Sequence, residues 1–494
     1  MSSTVSRRHL SRGGGFAALG LVLGLFFFAA AAPSALYALY QAQWRYSVTT
    51  LTAVFAVYAI ALLVALLTTG SLSDVVGRRP VLLVAIGAQL VALVLFAAAD
   101  GVGWLFAARA VQGVATGLAT SVLSAGLVDL APPERPSTAS VVTTGGPTTG
   151  QALGAVGAGA LVQFAPAPTV LVYAVMIVGF LACAVAVWFL PEPVTRRPLR
   201  VGVFVPRVGL PREARPAFLA AAPCVIAVWA LSGLHLSLGP SLAGVLLGSG
   251  DRLLSALVVT LLTGCGAVAA VSGRGRPPRT VLVAGCGFLL LGMALTLWGI
   301  GPTASVTVFY VGTGVAGLGF GLGLLGTVST VMTAAPAADR ARVAATMFVL
   351  AYLSFGLPAV AAGAATPTFG LRTVAMVYGL AVGVLALVAL VATLVVRPAP
   401  APAADAPAAD APCPTLRGHV RDAEGGAVDA VLTLVDRHGR QVACGTTDHD
   451  GGFALAGATA AGTGILVVRR RDGDRAPTAV SVAVGQTVTH DVVV

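Results

Sequence analysis

Residues 70–83, GSLSDVVGRRPVLL, place one acid and two arginines in fourteen residues between two long apolar runs. Each residue of this knot has a local use. Gly70 and Gly77 permit tight backbone turns, and Pro80 suits the first turn of a following helix. Asp74 is favoured near a helix N-terminus by up to about 1 kcal/mol. Taken alone, the stretch reads equally well as a positively charged turn between two membrane spans. Its surroundings decide.

Of 494 residues, 57% are hydrophobic and 10% charged, whereas soluble domains are about a quarter charged. The composition is that of a membrane protein. All 30 basic residues are arginine, so a choice of arginine over lysine carries little meaning here. Residues 1–397 have a formal net charge of +14 and residues 398–494 one of −3. The basic excess therefore belongs to membrane loops, and no nucleic-acid partner is implied. Of six cysteines, Cys183, Cys224, Cys265 and Cys286 fall inside apolar runs as small core residues. No nucleophile–base pair, metal-ligand spacing or phosphate-binding Gly-x4-Gly-Lys-Ser/Thr loop is present. Neither an enzyme, nor a cofactor, nor direct ATP drive is indicated.

A bilayer needs roughly 20 apolar residues per helix. Six such runs occur at 16–40, 48–69, 80–99, 102–128, 138–163 and 168–190, and six more at 216–238, 252–272, 280–299, 303–333, 343–364 and 372–396. Between them lies a polar stretch, 191–215. The first run, preceded by Arg7, Arg8 and Arg12, is too long for a signal-peptide core and reads as an uncleaved first span. With the N-terminus inside, the inner loops collect 18 arginines and the outer loops three, Arg45, Arg252 and Arg372. The positive-inside rule then places both termini in the cytoplasm. The knot falls in the cytoplasmic loop between spans two and three.

Gly70, Leu72, Asp74, Gly77, Arg78 and Arg79 form a Gly-x-Leu-x-Asp-x-x-Gly-Arg-Arg pattern that resembles the loop 2–3 signature of the major facilitator superfamily. RAVQG at 109–113 resembles its Arg-x-x-Gln-Gly signature in span four. GGPTTGQALG at 145–154 is similar to the Gly-Pro signature of its drug:proton antiporter branch, with Gln151 where that branch usually has glycine. The resemblance covers residues 1 to about 397. It implies an all-α membrane fold of 12 transmembrane helices in two pseudo-symmetric halves, residues 1–190 and 216–397, joined by a cytoplasmic loop at 191–215. It also implies a conformational latch on the cytoplasmic side, with Gly70, Asp74, Gly77 and Arg79 shaping the loop. In that latch Asp74 faces Arg342 at the start of span eleven, and Arg78 pairs with Asp129. The equivalent loop of the second half, SGRGRPPR at 272–279, keeps the arginines but not the acid. Gly146, Pro147, Gly150 and Gly154 are expected to allow close helix packing, and the resemblance implies an interface against span eight.

Arg109 is the one arginine inside a span, where a charge costs at least about 2.5–3.5 kcal/mol at mid-membrane. Two readings are open: a partnered group facing a cavity, with Gln112 on the same helical face, or a side chain snorkelling to the outer interface. None of the eight acids of residues 1–397 lies at the centre of a span. Proton coupling would then run through Asp129 with Arg78, through Arg109, or through His235, whose ordinary titration range lies near neutral pH. A lone histidine with apolar flanks is more often a hydrogen-bonded structural residue, which is the other reading of His235. Phe26, Phe27, Phe28, Tyr37, Tyr40, Tyr58, Trp229 and Tyr352 are candidates for an apolar pocket or for lipid-facing positions.

Residues 398–414 form a Pro/Ala linker. Residues 415–494 then alternate short half-buried strands with turns such as EGG and DHDGG, a pattern of about seven strands in a small β-sandwich. GHVRDAEGGAVDAVLTLVD at 418–436, with Thr447, Asp448, Asp450, Gly451 and Phe453, resembles the non-catalytic carboxypeptidase regulatory-like, transthyretin-like domain. Asp448 and Asp450 lack the length and glutamate of an EF-hand and read as turn formers. Such sandwiches usually sit outside cells, so either this one is recruited as a cytosolic docking piece for a protein partner, or the span count is off by one.

The expectation is a multi-pass cell-membrane transporter in the lipid bilayer. It would export small, apolar or drug-like molecules by alternating access, in exchange for protons. An uncoupled or sugar-type facilitator, and a membrane sensor or scaffold acting through its β-sandwich, stand as alternatives.

Overall fold

The computed structural model describes residues 10–132, 137–192, 194, 198, 204–206, 208–248, 251–301, 305–395, 415–422, 424–435, 441–456, 462–470, 478–484, 488–489 and 492–493. The expected 398–414 linker, and arginines 7, 8, 135, 196, 197, 200, 207 and 397, lie outside these residues. The chain divides into two compact units, Met1–Pro398 and Ala399–Val494.

Unit one is helical. Its first half contains α1 (Arg12–Ala31), α2 (Tyr37–Trp44), α3 (Val48–Thr69), α4 (Ser73–Val76), α5 (Arg78–Ala97), α6 (Val102–Leu130), α7 (Ser137–Phe164) and α8 (Pro168–Trp188). Its second half contains α9 (Arg215–Ser237), α10 (Gly239–Leu247), α11 (Arg252–Ser272), α12 (Pro278–Ile300), α13 (Val306–Ala334), α14 (Arg340–Phe369) and α15 (Leu371–Val395). The first span is broken: a 3-10 turn, Ala32–Ala35, separates α1 from α2. Among the described residues, 11 helical segments are long and apolar enough to cross a membrane, with α1 and α2 counted as one span. The helix left out is α7, whose 28 residues are rich in Gly and Thr. Its modest hydropathy fits its place, because it packs against α1 on one side and α11 on another.

Several helix starts are set by side chains that accept orphan backbone N–H groups. Ser47 caps α3 through Thr50 N at 3.1 Å, and Asp251 caps α11 through Leu254 N at 2.9 Å. Within the halves, α6 packs on α3 and α5, and α12 lies along α13. The latter pair is built on seven-residue glycine spacing. Gly285, Gly292 and Gly299 of α12 face the α13 backbone, while Gly312, Gly319 and Gly326 of α13 face that of α12. Without side chains between them the two helices meet along their length. Exposed Val84, Val91, Val178, Leu181, Val185, Leu380, Val384 and Leu387 leave an apolar outer surface suited to lipid.

One end of the bundle carries Arg12, Arg78, Arg79, Arg212, Arg215, Arg274, Arg276, Arg279, Arg340 and Arg342, and the other Arg45, Arg252 and Arg372. The former is called the arginine-rich end below.

Unit two is all-β: β1 (Thr415–Arg421), β2 (Ala430–Val435), β3 (Gln441–Thr446), β4 (Gly452–Ala456), β5 (Gly462–Arg470), β6 (Thr478–Val484), β7 (Val488–Thr489) and β8 (Val492–Val493). One sheet runs β4-β1-β7 with β8 also on β1, and the other runs β3-β2-β5-β6. Leu416, Val420, Phe453 and Leu455 from the first sheet share a core with Leu432, Leu434, Leu466 and Val468 from the second. Asp448 forms a turn, its Oδ1 accepting from Asp450 N at 3.0 Å and Gly452 N at 2.7 Å.

Candidate functional site

The knot folds as a short helix, α4, followed by a sharp reversal into α5. Gly77 makes the reversal with φ at +111°, a conformation that favours glycine. A second reason for glycine is Glu192, beyond the end of α8. A Cβ at position 77 would lie 2.7 Å from Glu192 Oε2. That carboxylate caps α5: Oε1 accepts the Arg78 N–H and Oε2 the Arg79 N–H, each at 2.9 Å. In the sequence Glu192 is one acid of the polar 191–215 stretch. Its partners stand more than a hundred residues away, and the one available signal was an acid directly after span six.

Arg78 gathers the remaining groups. Its Nε donates to Asp129 Oδ2 at 3.2 Å, its Nη1 donates to Ser73 Oγ at 2.6 Å, and Nη1 also pairs with Asp74 Oδ1. The structure thus brings Arg78 to Asp129. It does not bring Asp74 to Arg342. Asp74 pairs with Arg78 with its side chain 58% exposed, and Arg342 donates to Asp339 Oδ1 at 2.9 Å. Arg79 lies over the Trp188 ring, 4.7 Å from its centroid.

A second node surrounds Arg109, and it begins with Pro33. Proline has no N–H, so the Ala29 carbonyl loses its i+4 partner and the helix breaks. Side chains from α6 fill the gap. Gln112 Nε2 donates to Ala29 O at 2.9 Å, and Arg109 Nη1 donates to Ala30 O at 3.1 Å and to Gln112 Oε1 at 2.7 Å. Arg109 Nε donates to the Tyr37 hydroxyl at 2.6 Å. Arg109 is 0% exposed, which excludes the snorkelling alternative. Its guanidinium is ringed by Phe55, Tyr58, Tyr37 and Phe96 at 4.9, 5.2, 5.4 and 5.7 Å. Gly113 lets this shell close, because a Cβ there would stand 2.5 Å from the Tyr58 carbonyl oxygen. Tyr37, a candidate for an apolar pocket or for a lipid-facing position, meets Arg109 through its hydroxyl.

The halves meet along two helix pairs. In the α3–α14 pair, Thr49 Oγ1 donates to Gly363 O at 3.0 Å, and a Cβ on Gly356 would lie 3.8 Å from Ala59. In the α7–α11 pair, Arg252 N donates to Gln163 Oε1 at 2.9 Å at the end opposite the arginines. At the arginine-rich end, Arg274 Nη2 donates to the Ser140 and Val141 carbonyls at 3.0 and 2.8 Å. Partial burial lowers the pKa of Arg274. The Gly146, Gly150 and Gly154 stripe, carried on a helix interrupted by Pro147, does not face α11. It packs on Leu23, Gly24 and Phe28 of α1, while Gly145, Ala152 and Gly159 face α11. One sequence cannot fix that rotation of the helix.

Aromatic rings gather where α3 meets the second half. Trp229 of α9 packs on Tyr352 and Phe355 of α14, at centroid separations of 5.0 and 6.3 Å. All three join the core that holds Phe55 and Tyr58. Other candidates serve the first half alone: Phe26 packs on Phe180, and Tyr40 on Trp44. His235 is buried in the second half, its Nδ1 2.9 Å from Leu231 O. It borders a void of about 10 Å³ with Thr296, Met293 and Phe309, room for about one water. The structure does not bring it to Arg109.

Residues 16–299 match the family model described as Major Facilitator Superfamily. No curated protein sequence matches the chain. Among similar solved structures is a bacterial homolog of the human lysosomal transporter Spinster, in an inward-facing and unoccupied conformation. It is 14% identical with a TM-score of 0.62, over 78% of this chain and 97% of that one. A POT family transporter in complex with 5-aminolevulinic acid is 13% identical with a TM-score of 0.62, over 77% and 96%. The nucleoside transporter NupG is 13% identical with a TM-score of 0.60, over 76% and 99%. At these identities the likeness is one of fold.

Proposed function

The chain belongs to the Major Facilitator Superfamily, and on that premise we propose that it exports small, largely apolar molecules across the cell membrane by alternating access. As a member of that family it is a secondary transporter and not an enzyme. The observation that carries the proposal is the aromatic meeting of the halves, where Phe55 and Tyr58 share a core with Trp229, Tyr352 and Phe355. Such a surface suits flat apolar groups. The arginine-rich end faces the cytoplasm by the positive-inside rule.

The knot serves as the latch of the rocking motion. Asp74 is exposed and held by its neighbour Arg78, and Arg342 is held by its neighbour Asp339. Both belong to an unlatched state in this reading, and closing the latch would re-pair Asp74 with Arg342. Exchange for protons is the drive in this reading, passing through Asp129 with Arg78, through Arg109, or through His235. Uncoupled facilitation is favoured by one observation: among the described residues, no carboxylate lies at the centre of a span. The tail, which resembles a carboxypeptidase regulatory-like domain, is a docking module for a cytosolic protein and is not needed for flux.

Reconstituted liposomes with an internal pH dye test this. Substrate-dependent dissipation of an imposed proton gradient, lost in Asp74→Asn, supports proton exchange. Substrate flux without a proton signal retires the coupling and leaves a facilitator. Removal of residues 398–494 separates the sensor alternative: a transporter keeps its flux, whereas a sensor loses its output.

A further inference from the structure

We infer that the substrates of this transporter are amphipathic molecules bearing a single negative charge, a carboxylate or similarly compact anion, taken in preference to cations of the same shape. The inference rests on the transporter reading above and names its substrate class.

Arg109 carries it. The guanidinium is fully buried, and its polar contacts are a hydroxyl, a carbonyl and a side-chain amide oxygen. None is an acid. Nη2 is buried with no hydrogen-bond partner. Along α6, Asp129 follows Arg109 by twenty residues, roughly 30 Å at 1.5 Å per residue, and Asp100 stands before the helix begins at Val102. The other described acids of unit one, Asp74, Glu192, Glu213, Asp251 and Asp339, likewise stand at helix ends or in loops. Among the described residues, the interior of the first half therefore holds a positive charge with no acid to compensate it, in a medium that screens it weakly.

That charge lies close to where the halves meet. Phe55 and Tyr58 stand on α3 at 4.9 and 5.2 Å from the guanidinium, and α3 packs directly on α14. A ligand held between Tyr58 and Tyr352 is one ring layer from an unpaired cation. A negative headgroup gains from the field, and a positive one is repelled by it. Four rings hold the guanidinium through their faces, which accounts for its stability without an acid while leaving its charge unneutralised.

The test uses three probes with one ring system: 2-naphthoate, 2-naphthamide and 2-naphthylmethylammonium. Binding to the full chain in phosphatidylcholine nanodiscs is measured by equilibrium dialysis, and counterflow in liposomes. The carboxylate is expected to bind at least about tenfold more tightly than the ammonium probe, with the amide between. Arg109→Gln should bring that ratio near one, and Arg109→Lys should keep most of it. Equal or tighter binding of the ammonium probe to the unmodified protein overturns the inference, even if Arg109→Gln does not fold. An undiminished ratio in Arg109→Gln also overturns it. Flux of all three probes at equal rates leaves a transporter standing and removes the anion preference. Absence of binding and flux for all three counts against both.

Discussion

Replacing Glu192 by alanine uncaps α5. Two of the first backbone N–H groups of that helix, at Arg78 and Arg79, donate to this carboxylate at 2.9 Å, and Gly77 offers no side chain instead. Loss of a helix cap costs about 0.5–2 kcal/mol. Loss of a negative charge at a helix N-terminus costs about 0.3–1 kcal/mol more when exposed. Glu192 is partly exposed, so the lower part of the combined range applies, about 1–2 kcal/mol. At about 1.4 kcal/mol per factor of ten, the first turn of α5 should open roughly 5- to 30-fold more often. Hydrogen–deuterium exchange on the full chain in nanodiscs reads this directly. Peptides over residues 73–83 should exchange faster in Glu192→Ala, those from α11 should not change, and Glu192→Gln should fall between. Unchanged exchange over 73–83 would mean that another group holds the turn, and the capping argument would fail.

Two further expectations concern packing. Gly113→Val puts side-chain atoms where the Tyr58 carbonyl and Ala61 already stand, at 2.5 and 2.8 Å from a Cβ. It should destabilise by about 1–3 kcal/mol or more, seen as a lower melting temperature in detergent. Gly87→Ala, with nothing within 4 Å of the new atom, is the matched control, and equal melting of the two would refute the close approach of α3 and α6. Gln89 is fully buried and neither of its side-chain polar atoms has a partner. Gln89→Leu should therefore raise stability by about 1–3 kcal/mol, and a lower melting temperature would reveal a partner for that amide.

Much of the architecture was legible because bilayer thickness imposes one length on every span and arginine marks one end. The break in the first span was not foreseen, although Pro33 stands in an apolar run, because apolar composition hides it. Arg109 illustrates a different limit. Composition left a buried node and a snorkelling side chain both open. The choice turned on whether α6 lies against carbonyls freed by Pro33, a three-dimensional fact. The glycine stripe of α7 was recognised as a packing surface, yet its partner proved to be α1, since spacing along one helix does not say which neighbour it meets. The Asp74–Arg342 pairing that the family resemblance implies is not formed in this structure, where each residue pairs instead with a charge three or four positions away in its own segment.

The broken first span has a mechanical consequence. A proline break with bare carbonyls is a natural hinge, but here Gln112 and Arg109 occupy the Ala29 and Ala30 carbonyls from outside the helix. Bending at that point would strip hydrogen bonds in a dry interior, where an unsatisfied group costs about 1–3 kcal/mol. The break is therefore a braced elbow. Its two arms, α1 and α2, are both tied to α6, so flexing at the break carries the loss of those bonds.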